Sequence, residues 1–392
     1  MVAGERSGDV YGGRLAAALK THAEDLDIFG CGGDLMRAAG VSTSVDARTF
    51  AMVGITEIVS GFPRAYRAFH RLLEEVDRRQ PSLAVLIDSP SLNMRLARRL
   101  KQRAIPVVYF VSPQIWAWKK WRLRQLRGLV DRMVCIFDFE KPIYERVGIP
   151  VEYVGHPLVD TVRPLQSRQE FFAGLGLRRD VSTLALLPGS REIELDYILP
   201  AMLEAASELA RSRDIQFVLA LAPGLDFDRA ERRMRKNHAG QFTLRLAPGM
   251  AYDALAYSDA AVVASGTATV EAALLACPIV VVYRVAPTTA FFGKFMVDVP
   301  FFSMVNLLAG KRVVPELIQK SYTPANLAKE VCRLLDRAEV REAMRQELRA
   351  VAAHLGSGGA IDRAADLLLR MLRPIPYGET AIPAQAGTQS LG

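Results

Sequence analysis

The stretch Thr183-Leu184-Ala185-Leu186-Leu187-Pro188-Gly189-Ser190-Arg191-Glu192-Ile193-Glu194-Leu195 decides the fold. It opens on a short apolar run, Thr183 to Leu187, of the kind buried on both faces in a parallel sheet. Pro188, Gly189 and Ser190 then turn the chain, and Glu192 to Leu195 start a helix. Small residues in such a turn let backbone N–H groups approach a phosphate, and the helix N-terminus favours negative charge. Arg191 adds a planar cation suited to phosphate. A plain tight turn with a solvated arginine has the same spacing, so this stretch alone leaves both readings open.

A second turn of the same kind follows downstream. Ala260 to Ala264 reads as a strand, Ser265-Gly266-Thr267 as a turn, and Ala268 to Ala276 as a helix with Glu271 one turn inside. Ser265 or Thr267 would serve equally as a helix N-cap. Together, two strand–glycine–helix turns suit a diphosphate, and a carboxylate one turn in suits the hydroxyls of a ribose. Gln216 to Leu221 and Ile279 to Tyr283 supply further strands in this half. In the first half the candidates are Ile28-Phe29-Gly30, Leu83 to Ile87, Val107 to Val111 and Met133 to Phe137. Alternating strands and helices predict an α/β chain of two Rossmann-like series. They join near Gly155-His156-Pro157-Leu158, after the strand-like Val151 to Val154. The expected units are 1–157, 158–340, C-terminal helices over 341–372 and a disordered tail over 373–392. The first strand looks truncated, because Met1-Val2-Ala3 runs straight into Gly4-Glu5-Arg6-Ser7-Gly8-Asp9. A native frame extending upstream is therefore expected, with lower stability for the chain as written.

In the first half, the strand Leu83 to Ile87 ends in Asp88-Ser89-Pro90-Ser91-Leu92-Asn93. An acid at the carboxyl end of a parallel strand faces the crevice where such sheets bind ligands. Asp88 is the candidate general base, with an N-cap role for Asp88 or Ser91 as the alternative. Glu5 would converge on the same crevice. Ser7, Asn93 and Ser112, in neighbouring strand-end segments, are assigned to the acceptor or membrane side. All three tryptophans, Trp116, Trp118 and Trp121, fall among Lys119, Lys120, Arg122, Arg124 and Arg127. Such a cluster suits a membrane surface carrying apolar chains and phosphates, and a solvated basic helix would look the same. Leu123, Leu126 and Leu129 are read as core.

Composition narrows the classes. Of 392 residues, 50 are Lys or Arg and 42 Asp or Glu, a net charge of +8 that speaks of anionic partners. Single-stranded nucleic acid would also accept a basic–aromatic cluster, but no RNA- or DNA-binding motif accompanies it. No export signal or membrane span is visible. Cys31, Cys135, Cys277 and Cys332 are too far apart for a CxxC pair and suit reduced, mostly buried thiols. The histidines are scattered, and no metal site or cofactor is expected. Gly30-Cys31-Gly32-Gly33 fails the dinucleotide spacing, and Asp25-Leu26-Asp27 and Asp226-Phe227-Asp228 are misplaced for a metal-binding DxD.

Taken in order, these segments resemble the lipid-A-disaccharide synthases from Ala3 to about Arg370. The resemblance rests on Ala3 to Asp9, Met52-Val53-Gly54-Ile55-Thr56-Glu57, Ile87-Asp88-Ser89-Pro90 and Val111 to Trp118. Phe139-Glu140, Val154 to Leu158, Leu187 to Arg191, Ala264 to Glu271, Asn306 to Gly310 and Pro315-Glu316-Leu317 complete it. It implies a GT-B architecture of two Rossmann-like domains facing a central cleft. It also implies an inverting, metal-independent transfer from a UDP-activated acylated glucosamine to an acylated glucosamine 1-phosphate, forming a β-1,6 link with release of UDP. Asp88 aligns with the family's base and Glu5 with its first-loop acid. Gly189, Ser190, Arg191, Ser265, Gly266, Thr267, Glu271 and Asn306 fall in its nucleotide-sugar site. Trp116 and Trp118 would meet the membrane, and so would Phe291, Phe292, Phe301 and Phe302, although core packing accounts for the phenylalanines at least as well. This implies a cytoplasmic enzyme, peripheral on the anionic cytosolic face of the inner membrane, and allows a homodimer. Where the family has a second acid and an aromatic after Asp88, this chain has Ser91 and Leu92, which places more weight on Asp88. Rival readings are a UDP-N-acetylglucosamine epimerase on the same fold and a non-catalytic binder driven by the basic cluster.

Overall fold

The computed structural model describes residues 1–50, 55–113, 121–238, 242–285 and 300–372. Its first half forms seven strands: β1 (Val2–Ala3), β2 (Phe29–Gly32), β3 (Ser42–Asp46), β4 (Ala84–Ile87), β5 (Val107–Phe110), β6 (Arg132–Cys135) and β7 (Val151–Tyr153). The second half adds six: β8 (Ser182–Leu187), β9 (Ile215–Leu221), β10 (Leu244–Pro248), β11 (Ala260–Ala264), β12 (Ile279–Tyr283) and β13 (Glu316–Ile318). The first sheet runs β3-β2-β1-β4-β5-β6-β7 and the second β10-β9-β8-β11-β12-β13, both wholly parallel. Each sheet is doubly wound, so the strand order reverses between β1 and β4 and again between β8 and β11. At such a switch point the helices leave to opposite faces and open a crevice at the carboxyl ends of the strands.

Central strands are buried on both faces, which is why their apolar runs are readable in the sequence; β8, β9, β11 and β12 are almost continuously buried. The strands that the apolar pattern does not mark are β3, β10 and β13, each at a sheet edge. Their side chains are half-exposed, and Ser42-Thr43-Ser44 carries no hydrophobic signal at all. Although β1 has only two residues, it pairs on both sides, Val2 with Cys31 and Leu86, and Ala3 with Ile87.

One apolar cluster fills the second half around β8, β9, β11 and β12. The first sheet has a cluster on each face, and one of these takes in Val270, Met304 and the chain's last described helix, Ala360–Leu372. That helix returns to the first half and packs on the helix Arg6–His22. Arg363 fixes the return by donating to the carbonyls of Val154 at 2.6 Å, Gly358 at 2.7 Å and Ser357 at 3.0 Å. Gly356 sits there at φ 84°, and a Cβ would lie 2.7 Å from the Tyr153 hydroxyl oxygen. Cys31, Cys135 and Cys277 are buried, as expected from their spacing, and Cys332 is half-buried.

Candidate active site

Four loops issue from the two switch points and bring candidate residues of both halves together. Glu5 and Ser7 follow β1, Asp88 follows β4, Gly189 to Arg191 follow β8, and Ser265 to Thr267 follow β11. A cavity of about 430 Å³ lies between the halves, lined by Ser7, Asp88 and Ser112 on one side and Ser265, Gly266 and Thr267 on the other.

The Asp88 turn is strained and clamped. Asp88 and Ser89 both have left-handed backbones, φ 49° and 43°, and Val111 at the end of β5 has φ 60°. Such conformations cost on the order of 1–3 kcal/mol each and persist only where the surroundings over-determine them. Here Asn93 does so: its buried amide donates to the carbonyls of Ile87 at 3.0 Å and Asp88 at 2.8 Å. The Tyr109 hydroxyl donates to the same Asp88 carbonyl. Asn93, assigned from the sequence to the acceptor or membrane side, therefore holds the turn from within. Ser89, not Asp88 or Ser91, is the N-cap of the following helix, and its side chain makes no capping bond. Asp88 is thus not spent on a cap. Burial pushes its pKa up to about 7, with the Glu5 charge adding to the rise and the Ser89 amide and Arg191 opposing it. An acid with this pKa is matched to proton transfer near neutrality.

Glu5 stands at the N-terminus of the helix Arg6–His22 with no capping bond of its own. Its carboxylate meets Arg191 across the cleft at 3.4 Å. Both side chains are about half exposed, and an ion pair in that setting contributes about 0–1 kcal/mol, so a substrate can open it. Arg6 reaches the same way, donating to the Pro223 carbonyl. Asp9 is structural: buried, it accepts from the amides of Gly33 at 2.6 Å and of Leu35 and Met36 at 3.1 Å. A Cβ on Gly33 would lie 2.5 Å from the Asp9 carboxylate, and one on Gly32 2.5 Å from Met36 Sδ, so packing accounts for these glycines without a dinucleotide.

The Pro188–Arg191 loop differs from the arrangement its sequence suggests. Its amides do not face open solvent, because the Glu194 carboxylate accepts from the N–H of Ser190 at 2.8 Å and of Arg191 at 3.3 Å. Glu194 also meets the Arg191 guanidinium at 3.4 Å. Gly189, at φ 122°, is required there, since a Cβ would fall 2.3 Å from that carboxylate. Glu194, three residues past the N-cap Arg191, reaches back to the loop amides as the acid of a capping box does, and this signal goes unused when the loop is read only for phosphate.

In the second turn, the Ser265 hydroxyl donates to the Phe302 carbonyl at 2.7 Å, so neither Ser265 nor Thr267 caps the helix Thr267–Leu274. Gly266, at φ 155°, and Thr267 are exposed to the cavity. Glu271 is raised to about pKa 7 by burial, opposed by its bond from the Tyr252 hydroxyl at 3.5 Å. The reading of Asn306 as a direct nucleotide-sugar contact needs correction. Its amide is buried and fully committed, donating to Val314 O and Glu316 Oε1 at 2.9 Å and accepting from the amides of Val313 at 2.7 Å and Val314 at 2.9 Å. Glu316 in turn accepts from the amides of Phe302 at 3.0 Å and Ser303 at 2.8 Å. Asn306 and Glu316 therefore hold Phe301 and Phe302 at the cavity wall, where both rings line it instead of a core.

Two further buried polar residues bear on this cavity without having been singled out for a role, Glu140 through Ser112 and His156 directly. Glu140 accepts from the Ser112 hydroxyl, so Ser112 presents an oxygen to the cavity with its proton already directed away. His156 lines the wall between Tyr11 and Phe137. A buried polar side chain in a short motif is invisible to a pattern that looks for strand-end acids.

Of the basic–aromatic cluster, Trp116, Trp118, Lys119 and Lys120 lie outside the described residues, as do Met52-Val53-Gly54, Phe291 and Phe292. Arg122 belongs to the short helix Trp121–Leu126, where Leu123 and Leu126 are buried and Arg124 is exposed. Among the described residues no three His, Cys, Asp or Glu side chains gather as metal ligands, and no helix is long and apolar enough to cross a membrane. Asp27 is paired with Arg79 at 2.6 Å, and Asp226 caps Arg229 N at 2.9 Å.

Comparison with known proteins agrees with this geometry. The lipid-A-disaccharide synthetase family model matches residues 1–360. A lipid-A-disaccharide synthase of Myxococcus xanthus is 45% identical over 375 residues, covering 95% of this chain and 97% of that relative. Among solved structures, a putative UDP-N-acetylglucosamine 2-epimerase of Listeria monocytogenes superposes with TM-score 0.63 at 16% identity, over 96% of each chain. The calicheamicin glycosyltransferase does so with TM-score 0.56 at 17% identity, over 94% of this chain and 96% of that one. At such identities the structural likeness is one of fold alone.

Proposed function

The chain belongs to the lipid-A-disaccharide synthetase family and is a glycosyltransferase of the GT-B fold with a UDP-sugar donor, and on that premise we propose how its cleft works. The transfer is of 2,3-diacylglucosamine from its UDP derivative to 2,3-diacylglucosamine 1-phosphate, forming the β-1,6-linked disaccharide 1-phosphate and UDP. The observation that carries the reading is Asp88, with a pKa near 7, facing the Ser265–Thr267 turn across one cavity.

In this reading the acceptor hydroxyl attacks the anomeric carbon, the bond to the diphosphate breaks, and the hydroxyl proton passes to Asp88. Attack from the face opposite the leaving group inverts the configuration. Charge gathers on the departing diphosphate, where Arg191 and the N-terminus of the helix Thr267–Leu274 oppose it. Glu271 holds the ribose, and Glu5 positions the acceptor beside Asp88. The diphosphate displaces the Glu194 carboxylate from the Ser190 and Arg191 amides, a like-for-like exchange of anions. No step needs a metal. UDP release measured with and without the acylated glucosamine 1-phosphate tests this: release should require the acceptor and survive EDTA. Acceptor-independent conversion of the UDP-sugar would favour an epimerase, and loss with EDTA restored by magnesium would end the metal-free scheme.

The enzyme works on the cytosolic face of the inner membrane, held there by the basic–aromatic stretch and by apolar side chains near the cavity. Support comes from the charge of that stretch and from acylated substrates, which reside in a bilayer. Replacing Lys119, Lys120, Arg122 and Arg124 with glutamine should reduce binding to anionic vesicles most visibly at low salt. Unchanged co-sedimentation would return the stretch to an ordinary solvated helix.

A further inference from the structure

His156 lines the cavity shared by Asp88 and the Ser265–Thr267 turn, and none of the roles above uses it. It stands where the chain passes between the halves, and its backbone N–H donates to Leu355 O at 2.8 Å beside the returning C-terminal helix. The ring is held between Tyr11, edge-on at 6.3 Å between centroids, and Phe137 at 5.1 Å. Its Nδ1 accepts from the Leu158 amide at 3.1 Å. That bond fixes the tautomer: a neutral ring with Nδ1 as acceptor carries its proton on Nε2. Burial lowers the pKa to about 4, so the ring stays neutral in the working range.

Capping the short turn Pro157–Asp160 accounts for Nδ1 only. Ser, Thr, Asp or Asn is the usual residue for that task, whereas histidine carries a second nitrogen further out, on the cavity side. We propose that His156 is a substrate-positioning residue whose Nε2–H donates a hydrogen bond to an uncharged oxygen of the acylated acceptor sugar in the cavity, a hydroxyl or an acyl carbonyl. An uncharged partner follows from the surroundings. The wall here is Tyr11, Val111, Ile136 and Phe137, and a phosphate among them would draw a proton onto the ring. The phosphates have Arg191 and the two glycine turns instead. The inference rests on the glycosyl-transfer reading.

Two substitutions separate the ring nitrogens. In His156→Asn the side-chain oxygen takes the place of Nδ1 and keeps the cap but falls short of the cavity. In His156→Gln the amide nitrogen takes the place of Nε2 and keeps the donor but loosens the cap. His156→Asn should keep the melting temperature and lower kcat/KM by roughly ten- to a hundredfold, the scale of one unmatched buried polar group. His156→Gln should melt lower and stay within a few-fold of the wild type in kcat/KM. Both should keep the pH profile of the wild type, since the ring transfers no proton. Acceptor affinity by calorimetry, read without turnover, should rank the two variants in the same order. Glutamine as impaired as asparagine, or asparagine unimpaired, would reduce His156 to a cap, and a lost limb in the pH profile would replace positioning with proton transfer. Wild-type UDP release in the same assay reports on the reaction itself, so its failure is distinguishable from failure of the His156 assignment.

Discussion

Two of the cleft turns, Asp88-Ser89 after β4 and Pro188–Arg191 after β8, each border the switch point of their own sheet and are built in opposite ways. The first uses left-handed backbone at non-glycine residues, clamped from below by Asn93 and Tyr109. The second puts the left-handed backbone on Gly189, leaves Arg191 half exposed and fills its own amides with Glu194. In the transfer proposed above, the clamped turn holds Asp88 in place as the proton acceptor, and burial raises its pKa. A loop that must admit a large anion and let it go is better held by contacts that another anion can replace.

Asp88→Asn tests the rigid turn and should have the largest effect. The amide has nearly the same shape, so folding and UDP binding should persist while turnover falls by roughly a hundredfold or more, the usual scale for a general base. Near-normal turnover in the folded variant would remove the distinction between the turns. Arg191→Ala tests the exchangeable one. It should raise KM for the UDP-sugar by on the order of tenfold, with a melting temperature close to that of the wild type, because the ion pair with Glu5 lies in solvent. A clear loss of stability would mean that Arg191 holds the halves together instead of the diphosphate.

The smallest effect sharpens the comparison. A base must be ionised to act, so activity should rise with pH through about 7 as Asp88 loses its proton. Glu5 raises that pKa by its charge, so Glu5→Gln should move the limb to lower pH. Glu271 is also raised to about 7, and the Asp88→Asn profile distinguishes the two carboxyls. An unmoved limb in Glu5→Gln would show that burial alone tunes Asp88.

The nucleophile-side acid and the glycine turns were legible in the sequence because strand-end position and turn composition are local properties. Asn306 illustrates the limit. Its place in a motif marked it, but only packing shows its amide turned inward to Glu316 and Val314 instead of toward a ligand. Glu194 is similar, since a carboxylate four residues past Ser190 reads as a helix-opening acid until its oxygen is seen on the loop amides. Three of the four edge strands escaped notice because an edge buries too little to impose an apolar pattern, while the fourth, β7, was legible as Val151 to Val154.

By itself the sequence determined two parallel α/β series, the strand-end position of Asp88 and the family, all of which follow from runs of side chains that must be buried or turned within a few positions of one another. Only the tertiary structure decided that the four loops converge on one cavity, that the last helix returns to the first half, and that Glu5 and Arg191 face each other across the cleft. Glu5 and Arg191 are 186 positions apart, and no local propensity carries information over that distance. Their meeting depends on how two sheets pack, as does the burial that raises Asp88 to its working pKa.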